Sequence, residues 1–395
     1  MAKTLLASYL NPLKGFTLKN ILSISGVAIA ATALVTLGVV SPASAAVSIV
    51  APIETANAAD DSYYGIGAAV SNDGSLAAAT VEYGGVTIYN VAADTKVDIS
   101  NQALGSGDIG GLTFSPDNNF LYVADWSNDA VIVIDLSDNS IDRTISFPFA
   151  PWTLEASRDG AYLYANSYSS GDLVQVDLSD DSLSSSLSVS GSEIKSMCLS
   201  ADGATLYKPE YDDTVLAINT SDMSVSATWT LDGASETYSC ELDNDGNLIV
   251  GDYGNSLVFK VTPEGVATSS DEVNAYVYSA VPSCDAIYVA DENNEANIPV
   301  LDLSSLAIGD ALTVDETSGG SGFYGYGGDR SLDGSVIAFS GYYATDGLVL
   351  IKSDCGSSSS ALPDTGVDTV TPIAAGLGML VVGAIAIVAI RRRKA

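Results

Sequence analysis

Along most of this chain, short apolar runs alternate with clusters of Ser, Asp, Asn and Gly. The clearest stretch is SPDNNFLYVADWSNDAVIVIDLSDNSIDRTI, from Ser115 to Ile145. It opens on a turn at Pro116-Asp117, continues through apolar Phe120–Val123 and Val131–Ile134, and turns again over Asp135–Asn139. A further short apolar stretch follows around Ile141–Phe147. β-Branched and aromatic residues bounded by turn formers predict short strands. The pattern restarts at Ser157 (SRDGAYLYANS) and Ser200 (SADGATLYKPE), and more faintly at Ser71, Asp243, Ser283 and Ser331. The aspartates that mark the turn are Asp73, Asp117, Asp159, Asp202, Asp245, Asp285 and Asp333, separated by 44, 42, 43, 43, 40 and 48 residues. Seven such units predict an all-β fold, a seven-bladed β-propeller. A solenoid would need capping units, whereas a closed ring shields its own sheet edges.

Two longer apolar runs fall outside the repeats. Ile21–Val40 follows Lys3, Lys14 and Lys19 and precedes Ala43-Ser44-Ala45, small residues of the kind a signal peptidase site needs. Ala56-Asn57-Ala58 is a second such site. Residues 1–45 are therefore expected to be a signal peptide, and the chain to be secreted. Ile373–Ile390 spans 18 residues and ends in Arg391, Arg392, Arg393 and Lys394. At ~1.5 Å per residue, a helix of that length crosses most of a ~30 Å hydrocarbon core, and the basic tail stays cytoplasmic. Between the two ends, residues 46–354 are expected to form the propeller. Its last repeat supplies strands near Val336–Ser340 and Leu348–Lys352 but no outermost strand. Ala46–Pro52 (AVSIVAP) is β-branched enough to fill that place, provided cleavage follows Ala45 rather than Ala58.

Two resemblances extend this reading. Leu362-Pro363-Asp364-Thr365-Gly366, followed by the apolar run and the basic tail, resembles the LPxTG cell-wall sorting signal of Gram-positive surface proteins. It implies that sortase cuts after Thr365 and joins it to peptidoglycan, so that the membrane matters only through the sorting helix before cleavage. Residues 355–361 would then be a short Ser-rich spacer and 362–395 the sorting segment. The dozen residues from the last strand to Thr365 extend about 40 Å at ~3.3–3.6 Å each, which would hold the propeller in or close to the wall. Leu121-Tyr122-Val123-Ala124-Asp125 and Val131–Asp135 resemble the YVTN-type β-propeller repeat, over roughly residues 61–353 and most sharply in the second to fourth copies. That resemblance implies a seven-bladed ring, often on microbial surfaces, and no single activity: propellers host lactonases, dehydrogenases and pure binding modules.

Composition narrows the partners. Seven of the 15 Lys+Arg lie in the two ends, leaving 8 in residues 46–365 against 48 of the 49 Asp+Glu, a net charge of −40. Such a body repels nucleic acid and anionic lipid and favours cations or basic partners. The chain contains no histidine, the usual proton shuttle and commonest metal ligand, so haem, copper and catalytic zinc are not expected. Four cysteines in an exported chain predict two disulfides, with three pairings open. Cys198 and Cys240 hold nearly the same place in successive repeats, while Cys284 and Cys355 belong to turns on one face of the ring. The pairs favoured are therefore Cys198–Cys240 and Cys284–Cys355.

Most of the acids have a turn to make. The marker aspartates begin Asp-Gly type turns, and Asn90, Asp135, Asp177, Asn219, Thr262, Asp302 and Ser353 stand where third strands end. No cofactor is expected, calcium at Asp243, Asp245 and Asn247 being the alternative, although Gly246 comes two positions too early for an EF-hand loop. Seven residues before each marker stand Ile66, Gly110, Trp152, Lys195, Tyr238, Tyr278 and Tyr326. Nine before stand Tyr64, Asp108, Ala150, Glu193, Glu236, Tyr276 and Tyr324. Both sets lead into the innermost strands and would share a face if the segment is extended. Aromatics with interspersed acids around one mouth of the channel suit a glycan or protein ligand; packing between blades is the competing expectation. The function expected is a wall-anchored, non-catalytic binding or scaffold module. The alternative is a lactonase-like or other hydrolase with a divalent ion at Asp108, Glu193 and Glu236. No nucleophile elbow, phosphate loop or histidine base accompanies it.

Overall fold

The computed structural model describes residues 47–53, 55, 65–81, 84–189, 196–291, 297–314, 324–342 and 347–355, with the side chains at 50–52, 324–326 and 342 left aside. The apolar run 21–40, the LPDTG pentapeptide and the run 373–390 lie outside the described residues. Among the described residues no helix is long and apolar enough to cross a membrane.

Seven antiparallel blades follow one another in chain order and make an all-β propeller. Blade one runs outward from Gly65–Val70 through Leu76–Val81 and Gly85–Asn90 to Thr95–Ser100. Blade two repeats this with Ile109–Phe114, Phe120–Asp125, Ala130–Asp135 and Ser140–Ser146. The inner strands of blades three to seven are Pro151–Ala156, Cys198–Leu199, Thr237–Leu242, Val277–Pro282 and Tyr324–Arg330.

The continuous apolar character of the second and third strands follows from burial on both faces. Successive side chains point to opposite sides of a strand. In blade two, Leu121 and Val123 pack toward blade one, beside Ala78, Val86 and Ile88. Tyr122 and Ala124 pack toward blade three, beside Leu163, Ala165 and Val176. Every neighbouring pair of blades encloses such a cluster, including blade seven against blade one. Fully burying one Val, Leu, Ile or Phe side chain stabilises by about 1.5–3 kcal/mol, so these interfaces, rather than any one sheet, hold the ring.

The ring closes as the missing strand requires. Val47–Ile53 lies outermost in blade seven, beyond Leu348–Ser353, with Val47 opposite Ser353 and Ile49 opposite Ile351. Blade six is the irregular member. Its third strand is reduced to Val300–Asp302, while Asn297–Ile298 pairs separately with Leu312–Thr313. Pro299 separates the two pieces and has no N–H to give to a ladder.

The turn chemistry is as the repeats predict. Ser115, Ser157, Ser200 and Ser331 donate their hydroxyls to Asp117, Asp159, Asp202 and Asp333 at 2.6–2.7 Å. Gly160, Gly203 and Gly334 close those turns at φ of 71–72°, where a side chain would be strained. At the ends of third strands, Asp135, Asp177 and Asn219 accept backbone N–H groups two residues on.

One disulfide is present, Cys198–Cys240, joining the inner strands of blades four and five across a Cα separation of 6.0 Å. The second expected pair is not bonded: Cys284 and Cys355 are free thiols. Their turns do meet, and the two thiols lie beside each other, each with a further polar contact. Cys355 donates to Gly334 O at 3.1 Å, and Cys284 Sγ lies 3.7 Å from Ser353 Oγ. Burial, with the Cys284 thiol beside it, pushes Cys355 up to about 12. In the calcium alternative, Asp243 forms an ion pair with Lys260 at 2.9 Å and accepts the N–H groups of Asp245 and Asn247.

Candidate binding mouth

The inner strands share a local irregularity. Pairing with the second strand slips between Gly65 and Ala68, Ile109 and Leu112, Pro151 and Leu154, Thr237 and Ser239, Val277 and Ser279, and Gly325 and Gly328. Ile66, Gly110, Trp152, Tyr238, Tyr278 and Tyr326 sit at these bulges, seven residues before their markers. A bulge re-aims the side chain it carries and frees backbone groups from the ladder. Side chains on the second strands take up several of those groups. Gly67 N–H donates to Thr80 Oγ1 at 2.9 Å, Thr153 N–H to Asn166 Oδ1 at 2.8 Å, and Gly327 N–H to Ser340 Oγ at 2.9 Å. Neighbouring bulges pack closely: a Cβ on Gly111 or Gly327 would stand 2.7 or 2.8 Å from the carbonyl oxygen of Trp152 or Ile66.

The bulge corrects one expectation. Residues nine before the marker do not continue the same extended face as those seven before. Asp108, Ala150, Glu236 and Tyr276 precede the strands, and the irregularity intervenes. Their backbones have another task. The carbonyls of Asp108, Ala150 and Glu236 accept the N–H groups of Trp126, Tyr168 and Tyr253 at 2.9–3.0 Å. This brings in a second set of aromatics from the turns after the second strands, which the sequence reading missed. A signal was there: Trp126, Tyr168 and Tyr211 stand nine residues after their markers, and Tyr253 eight.

Two aromatic groups result. In blades two and three, Trp126 stacks on Tyr168 at 5.4 Å between centroids, and Trp152 meets both, at 6.2 and 4.7 Å. Across blades four to six, Tyr238 touches Tyr211, Tyr253 and Tyr278, and Tyr253 stacks on Tyr276 at 5.1 Å and 26°. Trp152 and Tyr238 are buried, at 6% and 5% exposure, whereas Tyr276 is 45% exposed. Packing and presentation are thus divided between residues: the buried pair supports the rings that face solvent. Beside them, burial and the neighbouring Asp125 carboxylate raise the pKa of Asp108. Tyr64, Glu193 and Lys195 lie outside the described residues, as do the side chains of Tyr324 and Tyr326. Of the proposed metal-holding trio, only Asp108 and Glu236 are therefore placed, in blades two and five.

Below the mouth, the channel holds a cavity of about 70 Å³ lined by Ile66, Trp152 and Tyr278, among others. It ends at Thr113, Glu155, Glu241 and Asp329, which also bound a second cavity of about 380 Å³. These four residues each stand four before a marker aspartate, a position the sequence reading did not single out. The second cavity is lined by the ends of the inner strands and the marker turns, with Arg158 and Arg330 among its walls.

At this level of detail the chain can be set beside known proteins. It shares its fold with solved propellers. A chain of Kuenenia stuttgartiensis hydrazine synthase superposes with a TM-score of 0.61 at 15% identity, over 74% of this chain and 96% of that one. A chain of the mitotic checkpoint complex gives 0.61 at 16% identity, over 78% and 93%. No family model and no curated protein matches by sequence. At such identities the likeness is one of fold alone.

Proposed function

We propose that this chain is an exported, wall-anchored propeller that acts as a non-catalytic binding module and holds a glycan at its aromatic mouth. The observation that carries the reading is the Tyr253–Tyr276 stack, with Tyr276 45% exposed above buried Tyr238. Flat rings held rigidly beside carboxylates such as Asp108 and Glu236 match the apolar faces and hydroxyls of a sugar. The order of the LPDTG pentapeptide, apolar run and basic tail supports sortase-dependent attachment to peptidoglycan through Thr365. The closing strand supports signal cleavage after Ala45, because cleavage after Ala58 would remove Val47–Ile53 from blade seven.

Each part has its test. Thr365→Ala should move the protein from the wall fraction to the membrane and medium, and an unchanged wall fraction would reject the anchoring. Sequencing the mature N-terminus should return Ala46, and a start at Ala59 would reject the cleavage assignment. Retention of the protein on immobilised wall polysaccharide and host-type glycans, lost on Tyr276→Ala, tests the ligand class.

A further inference from the structure

The 380 Å³ chamber at the marker-turn end meets the smaller cavity below the mouth at Thr113, Glu155, Glu241 and Asp329, and replaces its aromatic lining with two arginines. Three carboxylates border it, Glu155, Glu241 and Asp329, from blades three, five and seven. Two guanidinium groups, Arg158 and Arg330, share the wall. Asp243 also reaches it, already neutralised by Lys260 at 2.9 Å.

The arginines compensate the carboxylates only in part, Arg158 through an ion pair with Glu155 at 4.0 Å. Arg330, 8% exposed, donates to the backbone oxygens of Ser331, Leu242 and Leu332 and to Asn244 Oδ1. Arg158 donates to Leu199 O at 2.9 Å, stands 4.0 Å from Glu155, and leaves its buried Nε without a partner. Asp329 is satisfied by the N–H groups of Val70 and Arg330, both at 2.7 Å. Among the described residues, no donor hydrogen-bonds Glu241 or Glu155. With all groups ionised, the chamber is one positive charge short, and Glu241, which among the described residues has neither a hydrogen-bond donor nor an ion-pair partner, sits where that charge is missing. Burial together with the nearby Asp329 and Glu155 charges raises Glu241 well above the usual carboxylate range, as expected of an uncompensated site. Leu242 and Leu332, both solvent-accessible, supply the apolar part of the wall.

We propose that this chamber binds a small organic monocation, its ammonium group held by Glu241 with Glu155 beside it and its apolar body resting on Leu242 and Leu332. The volume falls in the range of small-molecule sites. In a partly desolvated cavity, one ammonium–carboxylate contact outweighs the gain from the apolar body alone.

Isothermal titration of the full-length protein in mild detergent with benzylamine, benzyl alcohol and benzoate tests this, because the three share a body and differ in charge. Benzylammonium should bind about tenfold or more tighter than the alcohol, and benzoate should give no heat. Glu241→Gln and, separately, Glu155→Gln should remove the preference for the cation while the melting temperature is held or raised. Tyr276→Ala, at the other end, should leave it intact. Equal affinity for benzylamine and benzyl alcohol would overturn the proposal. So would an unchanged preference in both glutamine variants, or tighter binding of zwitterionic phenylglycine than of benzylamine.

Discussion

The two ends of the channel use one repeat in opposite ways. At one end, bulges in the inner strands turn aromatic residues into the mouth, and a buried layer of Trp152 and Tyr238 carries an exposed one. At the other, the strands run regularly to their turns and place Glu155, Glu241 and Asp329 around an open cavity beside Arg158 and Arg330. Position in the repeat decides the geometry, and the residue type at that position in each blade decides the chemistry. The mouth is built mainly from dispersion and ring contacts, which tolerate water and salt. The chamber is built from charge in a desolvated space, where one missing partner has large consequences.

The largest effect that would separate the two ends is expected at Arg330. Arg330→Met abandons three backbone carbonyls and strips positive charge from Asp329 and Glu241, so it should cost about 3–5 kcal/mol in denaturant unfolding. A loss below about 1 kcal/mol would show that the arginine is not compensating the chamber.

Trp152→Ala follows, with a cost of about 3 kcal/mol from the cavity left beneath Trp126 and Tyr168. A negligible change there would mean that the mouth does not depend on its buried layer.

The pH response should belong to the chamber. Burial raises Glu155 to about 7 and Asp329 to about 6. The folded state then holds protons that the unfolded state has released, so the stability from these groups is present below pH 4 and is lost as pH rises toward 7. The charges facing them are each other, Glu241, Arg158 and Arg330, with Asp243 and Lys260 paired to each other. The turn aspartates act at lower pH: the Ser304 and Ser305 hydroxyls hold Asp302 at about 2, so its contribution disappears only in strong acid. The melting temperature should therefore fall between pH 5 and pH 8. Glu155→Gln, Glu241→Gln and Asp329→Asn combined should flatten that slope, and a slope unchanged by the triple variant would assign it elsewhere. Tyr276→Ala is expected to have the smallest effect on stability, within about 0.5 kcal/mol.

Much of the ring was legible in the sequence, because seven marker aspartates, five of them followed by a turn glycine, repeat at nearly constant spacing. The closing strand was legible too, since counting strands in the last blade left one place empty. The mouth was half legible. Residues seven before the markers were found by position, but the bulge was not, because it depends on freed N–H groups meeting Thr80, Asn166 and Ser340 across the blade. Trp126, Tyr168 and Tyr253 share a repeat position that went uncounted. The chamber was hidden for another reason: only three of seven blades carry an acid at its position, and the others place Ala69, Thr113, Cys198 and Val281 there. Among 49 acids, three at one register carry no signal until the ring brings them together. The free thiols of Cys284 and Cys355 show a related limit: repeat position placed their turns side by side but did not determine a bond.

The most direct test of the binding account is the retention of the full-length protein on soluble peptidoglycan fragments and host-type glycans, compared with Tyr253→Ala/Tyr276→Ala. The account predicts a variant that stays folded, with its melting temperature lowered only modestly by the lost Tyr253 ring contacts, and a loss of glycan retention. Retention undiminished in a folded variant, or no retention by the unmodified protein on any glycan, would contradict it.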